Sequence, residues 1–314
     1  MQSFEVTESD AKKRLDLLVV QLLPDSTRSY VARLIKTNCI QVNQTLKKPS
    51  YLVRNGDIIS ISEPEIQQQL QAQPEPIPLS ILHEDHDIIV INKPERMVVH
   101  PSPGHSQGTL VNALLHHNNQ QFSTVERFGI VHRLDKDTTG CIVVAKNVRA
   151  QLFLNEAFKA RQIKKKYVCV VHGQMKNDKG RIDLPIGRHP VHRKKMSTNS
   201  KYPRSAETHW KVSCQFEYFS LLHVLLKTGR THQIRVHLSA IHHPIVGDPS
   251  YGKQRNWRNL NPYIQSCLKH IKRQMLHAFQ LGFIHPSTKE YVQFEAALPN
   301  DMDEFLKTLQ MNNH

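Results

Sequence analysis

Apolar and polar positions in the first sixty or so residues follow the pattern of a small module of helices and strands. Residues 27–36 repeat apolar positions at helical spacing, with basic side chains on the other faces. A short alternating strand follows at 39–43, and the pair Asn55-Gly56 predicts a tight turn before a second strand at 57–61. This pattern predicts a compact α+β module.

A polar segment separates this module from the rest of the chain. Residues 63–78 read EPEIQQQLQAQPEPIP and hold four prolines, which block regular secondary structure. The sequence therefore predicts an N-terminal domain at 1–62, an extended linker at 63–78 and a larger domain at 79–314. No internal repeat is evident.

The larger domain alternates apolar strand patterns with fewer helical ones. Strand patterns lie at 86–94, 140–147, 165–173, 205–212 and 220–229, with a hairpin at 276–296. Helical patterns lie at 108–117, 148–162 and 231–243, with a short C-terminal helix from Asn300. Several strands with few helices predict an α+β fold with a mixed, largely antiparallel sheet.

The net charge narrows the choice of partners. Lys and Arg number 42 against 27 Asp and Glu, which gives the 314 residues a formal net charge of +15 with His neutral. Such a chain attracts polyanions, and nucleic acid is the first candidate, although a ribosome- or membrane-surface protein would have the same balance. Basic patches at 159–166 and 188–204 favour RNA over the alternative of solvated charge.

Several classes of protein are not expected from this sequence. The five cysteines are scattered without a CxxC pair, which is typical of reduced thiols in a cytoplasmic protein and not of a disulfide framework or zinc site. Apolar runs fall short of the ~18 residues of a spanning helix, and the acidic N-terminus MQSFEVTESD does not resemble a secretory signal. Neither a nucleotide-binding glycine motif nor a metal-binding histidine spacing occurs, so we expect no metal and no cofactor.

One charged loop lies between two apolar strands. In GIVHRLDKDTTGCIVVAKN, five charged or titratable side chains crowd together: His132, Arg133, Asp135, Lys136 and Asp137. Charged loops between strands often carry function because the sheet holds them rigid. A surface loop with solvated ion pairs would show the same pattern.

Arg235 is a second candidate for chemistry. It lies among the apolar residues Ile234, Val236 and Leu238 in a predicted helix, so it is expected to face a partly buried site. A buried guanidinium needs an anion, and Asp135 would supply one while staying ionised, as a nucleophile or base requires. The alternative is that Arg235 extends its guanidinium to solvent.

Further residues are candidates for nucleic-acid contact. Tyr167 follows a basic run and could stack on a flat base, although most such tyrosines belong to the core or to a sheet edge. The basic residues expected to contact RNA are His132, Arg133, Arg230, Arg193, Lys194, Lys195 and, in the first module, Arg28, Arg33 and Lys36.

Longer stretches resemble known families. HRLDKDTTG is followed in order by KKYVCVVHG, GRTHQIRVH and HPIVGDPSYG, and INKPERMVVHPSPGHSQGTLVNALL precedes them. Over residues 80–298 these blocks are similar to the RluA-type pseudouridine synthases. Residues 12–62 resemble the S4 RNA-binding domain, with Asn38 and Gln44 where that family usually has glycine. The two resemblances cover almost the whole chain.

The resemblance implies an isomerase that converts uridine in RNA to pseudouridine without a cofactor. It implies that Asp135 is the catalytic aspartate, acting at the ribose as nucleophile or base, and that Arg235 pairs with it. It also implies that Tyr167 stacks on the base or helps proton transfer, and that Arg133 helps to hold the flipped-out uridine.

The resemblance also suggests a substrate class. Within the family the nearest likeness is to members that modify a large-subunit stem-loop of 23S ribosomal RNA, as free RNA or in the assembling subunit. A sibling type of the same layout, which acts on other 23S uridines, stays open. The oligomeric state is not fixed by the sequence, and a monomer is expected.

Two rival functions come from other classes. A non-catalytic RNA-binding or ribosome-assembly protein could share the fold, but it would not need an ionised Asp135 in a cationic site. An RNA glycosidase or nuclease would use two carboxylates in most cases, and Asp137, the nearest second carboxylate, is expected to face solvent.

Overall fold

The chain divides into two compact units, Met1–Gln71 and Ala72–His314. The computed structural model describes residues 2–23, 26, 28–62, 72–102, 105–192, 195–252 and 260–311, with the backbone alone at 29, 30 and 33. The division falls inside the segment 63–78 that the sequence predicts as a linker. Residues 72–79 have no regular structure, but Ala72, Ile77 and Leu79 pack against the core of the second unit.

The first unit is a three-stranded sheet with two helices. Its strands pair in the order β1-β3-β2, all antiparallel. Each of its helices buries one apolar face in the hydrophobic core of this unit, which is separate from the cores of the second unit. Their bounds are Gln2–Glu5 (β1), Leu15–Leu22 (α1), Arg28–Lys36 (α2), Ile40–Val42 (β2) and Ile58–Ile61 (β3).

Left-handed backbone makes the turns of this unit. Asn38 has φ 64°, and in the turn after β2 Asn43 and Gln44 have φ 51° and 60°. Asparagine tolerates this region better than most residues. The amide of Asn43 also donates to Asp57 and accepts from the backbone of Ile58, which fixes the turn against β3.

The second unit is built on one large sheet. Within the described residues it has nine strands, eight of them in the order β4-β5-β6-β13-β7-β12-β11-β8, with β14 paired to β13. Only β6 and β13 run parallel, so the mixed, largely antiparallel sheet expected from the sequence is confirmed. Its strands are Ile81–Glu84 (β4), Ile88–Lys93 (β5), Thr139–Ala145 (β6), Lys164–His172 (β7), Lys179–Asp183 (β8), Glu207–Gln215 (β11), Phe219–Leu226 (β12), Leu276–Ile284 (β13) and Tyr291–Glu295 (β14); a separate two-stranded ribbon joins Gly187–Arg188 (β9) to Met196–Ser197 (β10).

Helices cover both faces of this sheet. Alternate residues of β5 enter different cores: Ile89 and Ile91 face one side, and Ile88 and Val90 face the other. A sheet buried on both faces is rigid, and the loops at its edge inherit that rigidity. The helices of this unit are Leu110–His117 (α3), Asn119–Phe122 (α4), Val148–Lys159 (α5), Gln233–Ala240 (α6), Pro262–His270 (α7) and Asn300–Met311 (α8).

None of the helices in the described part of the chain is long and apolar enough to span a bilayer. The longest, α5 and α8, have 12 residues each, and one face of each packs on the sheet.

Candidate active site

A cleft of about 530 Å³ opens in the second unit beside the parallel strand pair. Its walls come from the loop before β6, the start of β7, and the segment between β12 and α6. Six residues expected from the sequence to take part in function line it together: Asp135, Arg235, Tyr167, His132, Arg133 and Arg230. Residues that are far apart in the sequence thus converge on one cavity.

The ion pair expected between Asp135 and Arg235 is present. Arg235 Nη1 lies 2.9 Å from Asp135 Oδ2, and the carboxyl side chain is 19% exposed, so one side of it faces the cleft. Arg235 itself is only 5% exposed. The alternative that its guanidinium reaches open solvent is therefore wrong.

A second carboxylate holds Arg235 from behind. Fully buried Asp248 accepts from Nε at 2.7 Å and from Nη2 at 2.9 Å, and its Oδ1 also accepts the backbone N–H groups of Ser250 and Tyr251. Burial alone would lower the pKa of Arg235, but the bonds to Asp248 and the charges of both aspartates raise it above its usual value. Asp248 thus fixes the guanidinium, and the guanidinium presents its third edge to Asp135.

The loop that carries Asp135 is held by the sheet. The backbone N–H of Thr138 closes a turn on the carbonyl of Asp135. Gly140 follows at the start of β6 with φ 109°, and an added Cβ would lie 2.3 Å from the carbonyl oxygen of Ala278 on β13. Only glycine allows this approach, so Gly140 sets the distance between the parallel strands directly after the loop.

Lys93 anchors the other end of the same loop. Its side chain is fully buried, and Nζ donates to the carbonyls of Pro94, Met97 and Lys136 at 2.6, 3.0 and 3.0 Å. Burial lowers its pKa to about 7, and the charges of Asp137 and Asp135 oppose that effect. Asp137, expected to face solvent, is half-buried. Sequence reasoning missed Lys93, because a lysine at the end of a strand is usually solvated.

We expect Lys93→Met to destabilise the second unit. Methionine fills a similar volume but leaves three carbonyl groups without their donor, and because the bond to Met97 is buried and the other two are partly buried, this costs about 3 kcal/mol. Urea denaturation of the two proteins measures the difference in the free energy of unfolding. Lys159→Met is the matched control, because the exposed Lys159 ammonium pairs, among the residues that the structure describes, with Glu156 alone on the surface of α5. An equal loss in both variants would contradict the anchoring role.

Tyr167 lies in the wall of the cleft on β7. It is 8% exposed, and burial together with the charge of Asp135 raises the pKa of its phenol above its usual value. The neutral phenol is therefore the form present near pH 7. Arg133 is exposed and lines the same cleft.

His132 is committed to the fold on one side. Its Nε2 accepts the backbone N–H of Val143 at 3.0 Å, and its ring stacks on Phe158 with 4.7 Å between centroids. Burial lowers its pKa to about 3, so the ring is neutral. Because the ring is neutral and its Nε2 is already bonded, His132 does not act as the cationic RNA contact that its place in the basic loop suggests.

Other basic residues expected to contact RNA already have protein partners. Lys195 donates to the carbonyl of Ser250 at 2.7 Å, and Arg230 Nε donates to the carbonyl of Ser205 at 3.0 Å. In the first unit, Arg28 pairs with buried Asp16, while Lys36 is exposed. Arg193, Lys194 and the side chain of Arg33 lie outside the described residues.

Three further residues of the site were given no role from the sequence. His232 is at the start of α6, with Nε2 3.9 Å from Asp135 Oδ2. Tyr251 bonds to His232 Nδ1 at 2.8 Å, and its ring lies 5.2 Å from the guanidinium carbon of Arg235. Buried Gln233 bonds with Thr228, Thr208 and backbone groups, and so holds the segment before α6. The polar run GRTHQIR was the available signal for His232 and Gln233.

Among the residues that the structure describes, one group could hold a metal ion by proximity: Asp85, Asp87 and His285. It does not line the cleft. Asp85 accepts from His83, His285 and two backbone N–H groups. Burial alone would raise the pKa of Asp85, but these bonds lower it to about 2. Hydrogen bonding within the protein therefore accounts for the group.

Comparison with known proteins agrees with this architecture. Residues 87–240 match the family model described as RNA pseudouridylate synthase, and residues 13–59 match the S4 domain. The ribosomal large subunit pseudouridine synthase D of Nitrosomonas europaea is 41% identical, over 99% of this chain and 89% of its own length. The uncharacterized RNA pseudouridine synthase YlyB of Bacillus subtilis is 40% identical, over 99% of this chain and 100% of its own.

A solved structure shares most of this fold. Human RNA pseudouridylate synthase domain containing 4 superposes with a TM-score of 0.59 and 28% identity, covering 74% of this chain and 93% of that one. The sequence relatives, the two matched models and this superposition agree with one another. The chain therefore belongs to the RNA pseudouridine synthase family and is an enzyme that forms pseudouridine.

Proposed function

We propose that this enzyme isomerises uridines of 23S ribosomal RNA in the large subunit, with Asp135 as the catalytic aspartate. The observation that carries the proposal is the Asp135 carboxylate itself: it is held by Arg235 and faces a cleft that Tyr167 also lines. The names of relatives in Nitrosomonas europaea and Escherichia coli O157:H7, which refer to the large ribosomal subunit, support the substrate.

The reaction rearranges bonds without net redox change. The bond between N1 of uracil and C1′ of ribose breaks, the base turns, and a bond forms between C5 and C1′. The proton on C5 leaves, and N1 gains one. The uridine must leave its stack to enter the cleft, which costs a few kcal/mol.

The residues of the cleft fit these steps. Asp135 acts at the ribose, either as nucleophile on the sugar or as the base that removes a proton from it. Arg235 keeps that carboxylate oriented through the transfer. Tyr167, as a neutral phenol on the wall, stacks on the uracil while it turns. Arg133 at the mouth supports the flipped-out nucleotide.

Affinity for the RNA comes from charge in the S4 unit and around the cleft, whose lining includes Lys159, Arg161 and Lys165. The S4 unit, with exposed Lys36, and the patches at 159–166 and 188–204 would contact phosphates in a salt-dependent way that does not read sequence. The enzyme would act as a monomer, in the cytoplasm where ribosomal subunits assemble.

Mapping pseudouridines in ribosomal RNA tests the substrate. We expect cells without this protein to lose pseudouridines from 23S ribosomal RNA alone, and cells expressing it again to regain them. Primer extension after carbodiimide treatment locates each site. Loss confined to transfer RNA or to the small subunit would contradict the proposed substrate. Loss at 23S uridines outside a single stem-loop would favour the sibling type.

A further inference from the structure

His232 occupies a position beside Asp135 that the proposed function does not use. Its Nε2 lies 3.9 Å from Asp135 Oδ2, and one-fifth of its side chain is exposed. The residue has φ 57° and ψ 20°, in the left-handed region, directly before α6. A non-glycine residue in this region costs about 1 kcal/mol, which the surrounding contacts offset. The fold therefore holds this ring at the carboxylate at some cost.

The hydrogen bonds around Tyr251 assign the tautomer of His232. The Tyr251 oxygen accepts the backbone N–H of Met196 at 2.8 Å, so its own proton is free to be donated. Among the described residues, His232 Nδ1, at 2.8 Å, is the acceptor within reach of that hydroxyl. Nδ1 therefore accepts, and in the neutral ring the proton is on Nε2, which faces Asp135.

The charges around the ring favour this neutral form. Burial lowers the pKa of His232; Asp135 and Asp248 oppose this, and Arg235 and Arg133 reinforce it. Near pH 7 the ring is a neutral donor next to an acceptor carboxylate. The 3.9 Å between them is too long for a direct hydrogen bond.

A substrate hydroxyl fits this spacing. If an oxygen atom lies about 2.8 Å from both Nε2 and Oδ2, the angle Nε2–O–Oδ2 at that oxygen is about 90°. This is near the angle between the donor and acceptor directions of a hydroxyl group. We propose that His232 and Asp135 together bind the ribose 2′-hydroxyl of the target uridine, which accepts from His232 Nε2 and donates to Asp135 Oδ2. This rests on the proposed function, because Asp135 must lie at the ribose.

The 2′-hydroxyl is the group that satisfies both partners. It is attached to the carbon next to C1′, where the glycosidic bond breaks, and it is both donor and acceptor. His232 is then a specificity residue that recognises ribose over deoxyribose, and Tyr251 is a positioning residue that fixes its tautomer. With deoxyribose in the site, a polar group of the enzyme would be left without a hydrogen-bond partner.

Competition binding with matched RNAs tests the proposal. The probes are one substrate stem-loop and the same stem-loop with 2′-deoxyuridine at the target alone. For the ribose stem-loop, single-turnover assays give the half-saturating RNA concentration. For the deoxyuridine stem-loop, inhibition of the same reaction gives an inhibition constant, whether or not that RNA reacts. We expect the wild type to bind the ribose form about tenfold more tightly, the value of one good hydrogen bond.

Two variants at position 232 distinguish the effect of the Nε2–H donor from the effect of the left-handed backbone conformation. His232→Gln places an amide N–H near the position of Nε2, and we expect it to keep most of the discrimination. His232→Asn suits the left-handed backbone, but its shorter amide falls in the place of Nδ1, and we expect it to bind both RNAs within about twofold. Tyr251→Phe removes the hydroxyl that fixes the tautomer of His232. We expect its preference for the ribose RNA over the deoxyribose RNA to lie between those of the wild type and His232→Asn.

A wild-type ratio in His232→Asn would overturn this inference, as would equal binding of both RNAs by the wild type. If His232→Asn does not fold, as judged by its melting temperature, Tyr251→Phe and His232→Gln still give the comparison. Neither result bears on Asp135 as the reacting group, since the rate of Asp135→Asn on the ribose substrate tests that separately.

Discussion

Replacing Asp135 by asparagine is expected to abolish pseudouridine formation. Asparagine has almost the same shape and can still accept from Arg235, so the cleft keeps its form, but it cannot act as nucleophile or base. We expect the single-turnover rate to fall by at least about 10⁴-fold, the range seen when a reacting group is removed. RNA affinity should stay near that of the wild type, since phosphate contacts dominate it and the asparagine oxygen can still accept from the ribose 2′-hydroxyl.

Asp303→Asn is the matched control for this variant. Asp303 is a half-exposed carboxylate on α8 that pairs with Lys307, and its loss should leave the rate within about twofold. Product chromatography of the wild type belongs with this experiment. Release of free uracil would indicate a glycosidase, and shortened strands a nuclease. Undiminished pseudouridine from Asp135→Asn would exclude Asp135 as the reacting group.

Local sequence patterns predicted the elements that frame the cleft. The strand at 140–147, the basic strand at 165–173 and the helix at 231–243 correspond to β6, β7 and α6. The two strands were recognisable as continuous apolar runs, because both faces of the sheet are buried. The helix at 15–22 was missed, since its eight residues are nearly all apolar and show little periodicity. Helix α7 was also missed, although Asn261 before Pro262 is a recognisable helix start.

The candidate site was predictable only where charge is out of place. Asp135 stood out because it lies in a charged loop between two apolar strands, and Arg235 because it lies among apolar residues. A buried charge needs its opposite. Asp248 reads as an ordinary loop aspartate before a proline, and nothing local shows that it clamps Arg235. Lys93 likewise becomes recognisable only when its three carbonyl partners, one of them 43 residues away, are brought together by the fold.

Replacing Arg235 by lysine is expected to weaken both the pairing with buried Asp248, which affects stability, and the orientation of Asp135, which affects the rate. The guanidinium makes three directed bonds to two carboxylates, whereas an ammonium group is a single point charge that cannot reach both in that geometry. Asp248, fully buried, would keep at most part of its pairing, which costs about 3 kcal/mol of stability. Asp135 would lose its orientation, and we expect the single-turnover rate to fall by about 10²-fold or more.

Arg273→Lys shows how much of that loss comes from stability alone. Arg273 is equally buried and makes a forked pair with Asp301, at 2.7 and 2.6 Å, but it does not contact the carboxylate of Asp135. It also pairs with Glu95 at 2.8 Å and donates to the carbonyl of Asp137 at 3.2 Å. We expect a smaller fall in the free energy of unfolding, because the Asp301 side chain is 38% exposed and can be solvated, and a much smaller fall in rate. Adding Asp248→Asn to Arg235→Lys removes the uncompensated charge, so it should restore stability without restoring the rate. If both single lysine variants lost the same rate, the pairing of Arg235 with Asp135 would have no specific part in the reaction.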